Sequence, residues 1–78
     1  MSDIKVDQEL DCRGMSCPIP ILKTKKAVDT LTSGQVLKMI STDPGSVNDV
    51  QAWTRRTGNP LVEQAEGNGE FTFYIKKQ

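Results

Sequence analysis

The apolar positions of this 78-residue chain change period several times, and each change marks an element. Ile4 to Leu10 alternates imperfectly and predicts a first strand that ends at Asp11-Cys12-Arg13-Gly14. Ile21, Leu22, Ala27, Val28 and Leu31 then recur at helical spacing, so Pro18 to Thr32 reads as a helix. Lys23, Lys25 and Lys26 fall on its wetter side, and Gly34 stands where a left-handed cap is expected. Gln35 to Thr42 is mostly apolar without clean alternation, the pattern of an interior strand, and Asp43-Pro44-Gly45 breaks it. Ser46 with Asp49 three residues on is a capping-box pattern, opening a second helix through about Thr57 with Val47, Val50 and either Trp53 or Thr54 inward. Gly58 ends that helix. Leu61 to Glu66 and Phe71 to Lys76 flank Gly67-Asn68-Gly69, a hairpin signal. Phe71, Phe73 and Ile75 alternate with Thr72, Tyr74 and Lys76, so the last strand has one buried and one wet face.

The order β-α-β-α-β-β predicts an α/β (α+β) two-layer sandwich: a mixed four-stranded sheet with two helices on one face. Residues 1–78 read as a single domain whose core is near the lower limit for folding alone, too small for a deep ligand cavity.

Ten basic and ten acidic residues cancel, which argues against a protein whose main task is to hold nucleic acid through its phosphates. The charge is segregated, however. Residues 1–12 carry a net −3, residues 13–38 a net +4, and the remainder −1. The positive segment contains Arg13, Lys23, Lys25 and Lys26 together with Cys17.

Absent residue types remove several chemistries. Without histidine there is no Cys-His hydrolase mechanism, and two cysteines alone fall short of a four-ligand zinc site. No phosphate-binding glycine loop or dinucleotide fingerprint occurs, so neither a metal nor an organic cofactor is expected. The acidic N-terminus lacks an apolar signal-peptide core, no run is long enough to cross a bilayer, and two cysteines do not make a disulfide scaffold. A cytoplasmic protein with reduced, usable thiols is the expectation.

Cys17 is the focus of that expectation. Pro18-Ile19-Pro20 follows it and leads into the first helix, placing its sulfur where backbone N–H groups are unpartnered and the peptide dipoles sum to positive charge. Pro18 biases Cys17 toward the N-cap conformation, and Ile19 N–H is expected to face the sulfur. Both effects, with added help from Arg13 and the lysines, would favour the thiolate, the form that attacks sulfur compounds. The alternative is a small buried residue that merely caps a helix.

The run Leu10-Asp11-Cys12-Arg13-Gly14-Met15-Ser16-Cys17-Pro18-Ile19-Pro20 resembles the signature of TusA/SirA-like sulfur-carrier proteins, with its Cys-Pro-x-Pro motif. Gly34, the apolar strand after it, Asp43-Pro44, Asp49 and Gly58 extend the likeness over essentially the whole chain. The resemblance implies a last strand antiparallel to its neighbours and a cysteine, Cys17, that carries sulfane sulfur as a persulfide. Cys17 would accept it from a cysteine desulfurase or rhodanese-like donor and relay it to an acceptor protein, serving tRNA thiolation, cofactor sulfur supply or sulfur oxidation. By the same match, Asp11, Arg13 and Gly14 would shape the loop while Pro18, Ile19 and Pro20 fix the helix start. Asn59 stands where many relatives carry histidine, which counts against the tRNA-thiolation branch, and no role of that histidine is carried over.

The expected protein is thus a sulfurtransferase-type carrier more than a stand-alone catalyst. Lys23, Lys25 and Lys26 are candidates for docking an acidic partner, or else a solvated helix face. Cys12 reads as a packing residue, with a resolving thiol as the alternative. Two rival functions stay open: a Cys12/Cys17 thiol-redox protein, and an RNA- or DNA-binding or regulatory module, since the element order is also similar to the C-terminal domain of bacterial translation initiation factor 3.

Overall fold

The computed structural model describes residues 4–78; Asp3, counted above in the acidic segment, lies outside them. The elements are β1 (Gln8–Cys12), α1 (Ile19–Asp29), β2 (Val36–Ser41), α2 (Gly45–Thr57), β3 (Leu61–Gly67) and β4 (Glu70–Lys76). They form one four-stranded sheet in the order β1-β2-β4-β3. β1 pairs parallel with β2, while β4 runs antiparallel to both β2 and β3. The mixed sheet, the interior place of β2 and the antiparallel last strand all agree with expectation.

Register explains the core. Leu10 lies opposite Met39 and Cys12 opposite Ser41, while Leu37 faces Ile75 and Met39 faces Phe73. Because side chains alternate along a strand, this puts Leu10, Cys12, Leu37, Met39, Phe73 and Ile75 on one face. That face meets Ala27, Val28 and Leu31 of the α1 segment and Val50 and Trp53 of α2. The sheet is thereby covered by helices that also touch each other.

Several boundaries differ from the sequence expectation. β1 begins at Gln8 rather than Ile4, because its ladder partner β2 starts only at Val36; Asp7 N–H donates to Val36 O at 2.9 Å just ahead of the ladder. α1 ends at Asp29 with Thr30 as its C-cap, and Gly34, at φ 92°, turns the chain into β2 instead of capping the helix. The inward stripe of α1 includes Pro20 and Thr24, whose hydroxyl donates to Pro20 O at 2.8 Å. Leu22, two residues on from Pro20 and so across the helix, is 49% exposed instead of packing inward.

α2 ends at Gly58, whose φ of 79° is the left-handed conformation that glycine adopts without steric cost. Its start is Gly45, one residue earlier than the capping-box reading; the Ser46 hydroxyl donates to Asp43 O at 2.6 Å, and Asp49 faces elsewhere. The β3–β4 hairpin turns on Asn68 and Gly69, both with positive φ, as a two-residue type I′ turn requires.

Leu37 is fully buried in the central strand, so Leu37→Ala is expected to cost about 2–5 kcal/mol of stability, measured by chemical denaturation. A loss below about 1 kcal/mol would show that β2 does not centre the core.

Candidate functional site

Parallel pairing sends the ends of β1 and β2 the same way, so the loop after each strand emerges at the same edge of the sheet. The loop after β1, residues 13–18, carries Cys17. The loop after β2 carries Thr42 and Asp43 and leads into the first turn of α2. Gly14 N–H donates to Thr42 Oγ1 at 2.9 Å, and Cys17 N–H donates to Asp43 Oδ2 at 2.8 Å. Asp43 Oδ1 accepts Gly45 N–H at 3.2 Å, tying the same carboxylate to the start of α2.

The Cys17 side chain is exposed, and its Sγ–H donates to Asp49 Oδ2 at 2.9 Å. Gly45 passes close beside it: a Cβ added at residue 45 would lie 3.2 Å from Sγ and 3.6 Å from both Asp43 oxygens. The sulfur therefore rests against the first turn of α2, in a niche whose floor is glycine and whose walls are two carboxylates.

This corrects the electrostatic expectation. The carboxylates of Asp49 and then Asp43 push the Cys17 thiol up from its ordinary 9.0 to about 12, so the thiol and not the thiolate is favoured. A helix start supplies roughly half a positive charge, against a full negative charge on each of two adjacent carboxylates. The neighbouring Cys17 thiol, with the N–H groups of Cys17 and Gly45, in turn holds the Asp43 carboxyl below its usual range.

The capping expectation is also corrected. Pro18, not Cys17, is the N-cap of α1, and the Cys17–Pro18 peptide is cis. Ile19 N–H donates to Ser16 O at 3.0 Å instead of facing the sulfur, and Leu22 N–H closes the first turn on Pro18 O at 3.1 Å. The aspartates hold both the backbone N–H and the side chain of Cys17, which draws it out of the capping position.

Arg13 acts on the loop and not on the thiol. Its Nε and NH2 groups donate to the two oxygens of Asp11, each at 2.9 Å, and NH1 reaches Glu70 at 3.4 Å. This fork holds the Asp11 carboxyl down at about 2. With Gly14 at φ 80°, the pair turns the chain out of β1. Pro20 is buried beneath the start of α1, whereas Pro18 is exposed and Ile19 is 44% exposed. Cys12 is fully buried in the core, and burial pushes its thiol pKa up. Lys23, Lys25 and Lys26 are all exposed on α1. Asn59 is buried, with Oδ1 accepting Gln78 N–H at 2.8 Å and Nδ2 donating to Thr57 Oγ1 at 3.0 Å, so here that position ties down the last strand's exit.

A family profile described as Sulfurtransferase TusA matches residues 8–77. The chain belongs to that family. Among its relatives, the sulfur carrier protein TusA of Allochromatium vinosum is 55% identical over 71 residues, covering 91% of this chain and 93% of the relative. A putative sulfur carrier protein of Bacillus subtilis is 43% identical over 74 residues, covering 95% and 99% respectively. The crystal structure of a SirA-like protein from Desulfitobacterium hafniense superposes with a TM-score of 0.78 at 25% identity, over 88% of this chain and 95% of that one.

Within this TusA-type site, sequence reasoning located Cys17 and the Asp11-Arg13-Gly14 turn but missed the function of Asp43 and Asp49. Asp49 read as a capping residue and Asp43 as part of a turn. One available signal was their spacing across Gly45 at a helix start, which sets two carboxylates around a single niche.

Ultraviolet titration of the folded protein should show Cys17 ionising near 12, and Asp49→Asn should lower that value. The linked stability is fully present below pH 9.0 and is lost as pH rises toward about 12, because the unfolded chain releases the thiol proton first. Cys17→Ala, denatured in parallel, should lack this part of the alkaline decline. A wild-type thiol that ionises at or below 9.0 would contradict the carboxylate niche.

Proposed function

We propose that this protein is a sulfur carrier that holds sulfane sulfur as a persulfide on Cys17, taking it from one protein and passing it to another. The observation that carries this reading is the placement of Cys17. Its sulfur is exposed, at the shared edge of two loops, and held by directed hydrogen bonds. A thiol displayed in this way suits a partner protein that brings its own reactive sulfur. The names of the relatives, sulfur carriers in Allochromatium vinosum and Bacillus subtilis, point the same way.

The surface next to Cys17 supports exchange between proteins. Ile19 and Leu22, 44% and 49% exposed, stand with Lys23 and Lys26 on the first turns of α1. An apolar centre with a basic rim fits an acidic-rimmed donor or acceptor, a cysteine desulfurase or rhodanese-like protein being the donor class. Burial of Cys12 favours this reading over a Cys12/Cys17 redox pair. Among the described residues no helix is long and apolar enough to cross a membrane, and we place the relay in the cytoplasm, where both thiols stay reduced. The sulfur would go to tRNA thiolation, cofactor assembly or sulfur oxidation.

Intact-mass spectrometry after incubation with a sulfane-sulfur donor tests this. Wild type and Cys12→Ala should each gain the mass of one sulfur atom, and Cys17→Ser should gain none. Transfer from a donor protein should slow as salt rises. Loss of two hydrogens with no sulfur gained would replace the carrier with a redox pair.

A further inference from the structure

A persulfide relay has to move a proton each time sulfur arrives or leaves, and the niche holds two carboxylates that differ in what they do. Asp43 spends Oδ2 on the Cys17 backbone N–H and Oδ1 on Gly45 N–H. Asp49 meets the reacting atom itself, with Oδ2 at 2.9 Å from Sγ, within the reach expected of a proton-transfer partner. It projects from α2, a 13-residue helix anchored in the core through Val50 and Trp53, so the carboxylate stands on a rigid element. Among the described residues, the titratable groups that act on Cys17 are these two aspartates; Arg13 is engaged by Asp11 and Glu70.

We propose that Asp49 is the catalytic proton acceptor and donor for Cys17 during sulfur transfer. The proposal rests on the carrier reading and deepens it. In loading, Sγ attacks the outer sulfur of a donor persulfide, R–S–SH. The Sγ–H proton passes to Asp49 Oδ2 as the Sγ–S bond forms. The R–S bond to that sulfur breaks, its electron pair leaves on the donor as a thiolate, and that thiolate takes up one proton. The products are Cys17–S–SH, R–SH and protonated Asp49, the proton on R–SH having come from solvent, with no net oxidation. In unloading, an acceptor thiolate attacks the outer sulfur of Cys17–S–SH, and protonated Asp49 returns its proton to the departing Sγ. Such a device supplies the reactive form at the moment of attack, while the resting thiol stays protonated.

The test uses the full chain with glutathione persulfide as donor, following loading by rapid quench and mass spectrometry. Asp49→Asn, nearly isosteric, should load about 100-fold more slowly than wild type near neutral pH, in line with the loss of a positioned base. The ratio of Asp49→Asn to wild-type rates cancels the donor's own ionisation. It should climb about tenfold per pH unit from about pH 6 to 8, because the variant then depends on free thiolate. Asp49→Ala, which opens room beside Sγ, should recover rate with added acetate, a rescue that a merely structural role would not give. Circular dichroism matched to wild type certifies the fold of each variant, and a variant that fails this check leaves the other to decide. If wild type loads but both variants load as fast, with a pH-independent ratio and no acetate effect, Asp49 has no such role and the carrier reading stands. If wild type gains no sulfur, the carrier reading fails and this proposal falls with it.

Discussion

The parallel pairing of β1 with β2 is the constraint on which the site depends. It fixes Cys12 opposite Ser41, so the two strands end level and their following loops leave side by side. Each loop then starts a helix: the first brings Cys17, the second Asp43, Gly45 and Asp49. In open sheets this edge, beyond the carboxyl ends of parallel strands, is where chemistry gathers. A slip of one residue in the register would invert the buried face of β1 and turn Leu10 and Cys12 out of the core. The same pairing that satisfies the core therefore also assembles the niche.

The fold was legible because its signals are local. The Asn68-Gly69 turn, Gly58 after α2 and the alternation of Phe73 and Ile75 each fix an element through its own few residues. The antiparallel direction of β4 came from family likeness and not from periodicity. Errors fell where a residue's role is set across the chain. Ile4 could not extend β1 without a facing stretch of β2, and Leu22 pointed outward because Pro20 and Thr24 took the inward stripe. Cys17 could be picked out from the prolines after it, but the charges that govern it lie 26 and 32 residues away. No local pattern carries that information.

The correction changes how the thiol should be understood. A depressed pKa would make Cys17 reactive toward any electrophile that reached it. Held by carboxylates, it stays protonated and inert until something changes its surroundings. A docked partner can do so by bringing positive charge or an acidic sulfur up to the aspartates. Reactivity thus becomes conditional on an encounter, which suits a molecule that must carry a labile sulfur past many bystanders.

The complete burial of Cys12 has a bearing on the fate of that cargo. An accessible thiol five residues away could attack a persulfide on Cys17, expel sulfide and leave a disulfide behind, discharging the molecule in solution. The interior position of Cys12, opposite Ser41 and within the core cluster, closes this short circuit. Sulfur loaded on Cys17, as proposed, would then keep until another molecule collects it.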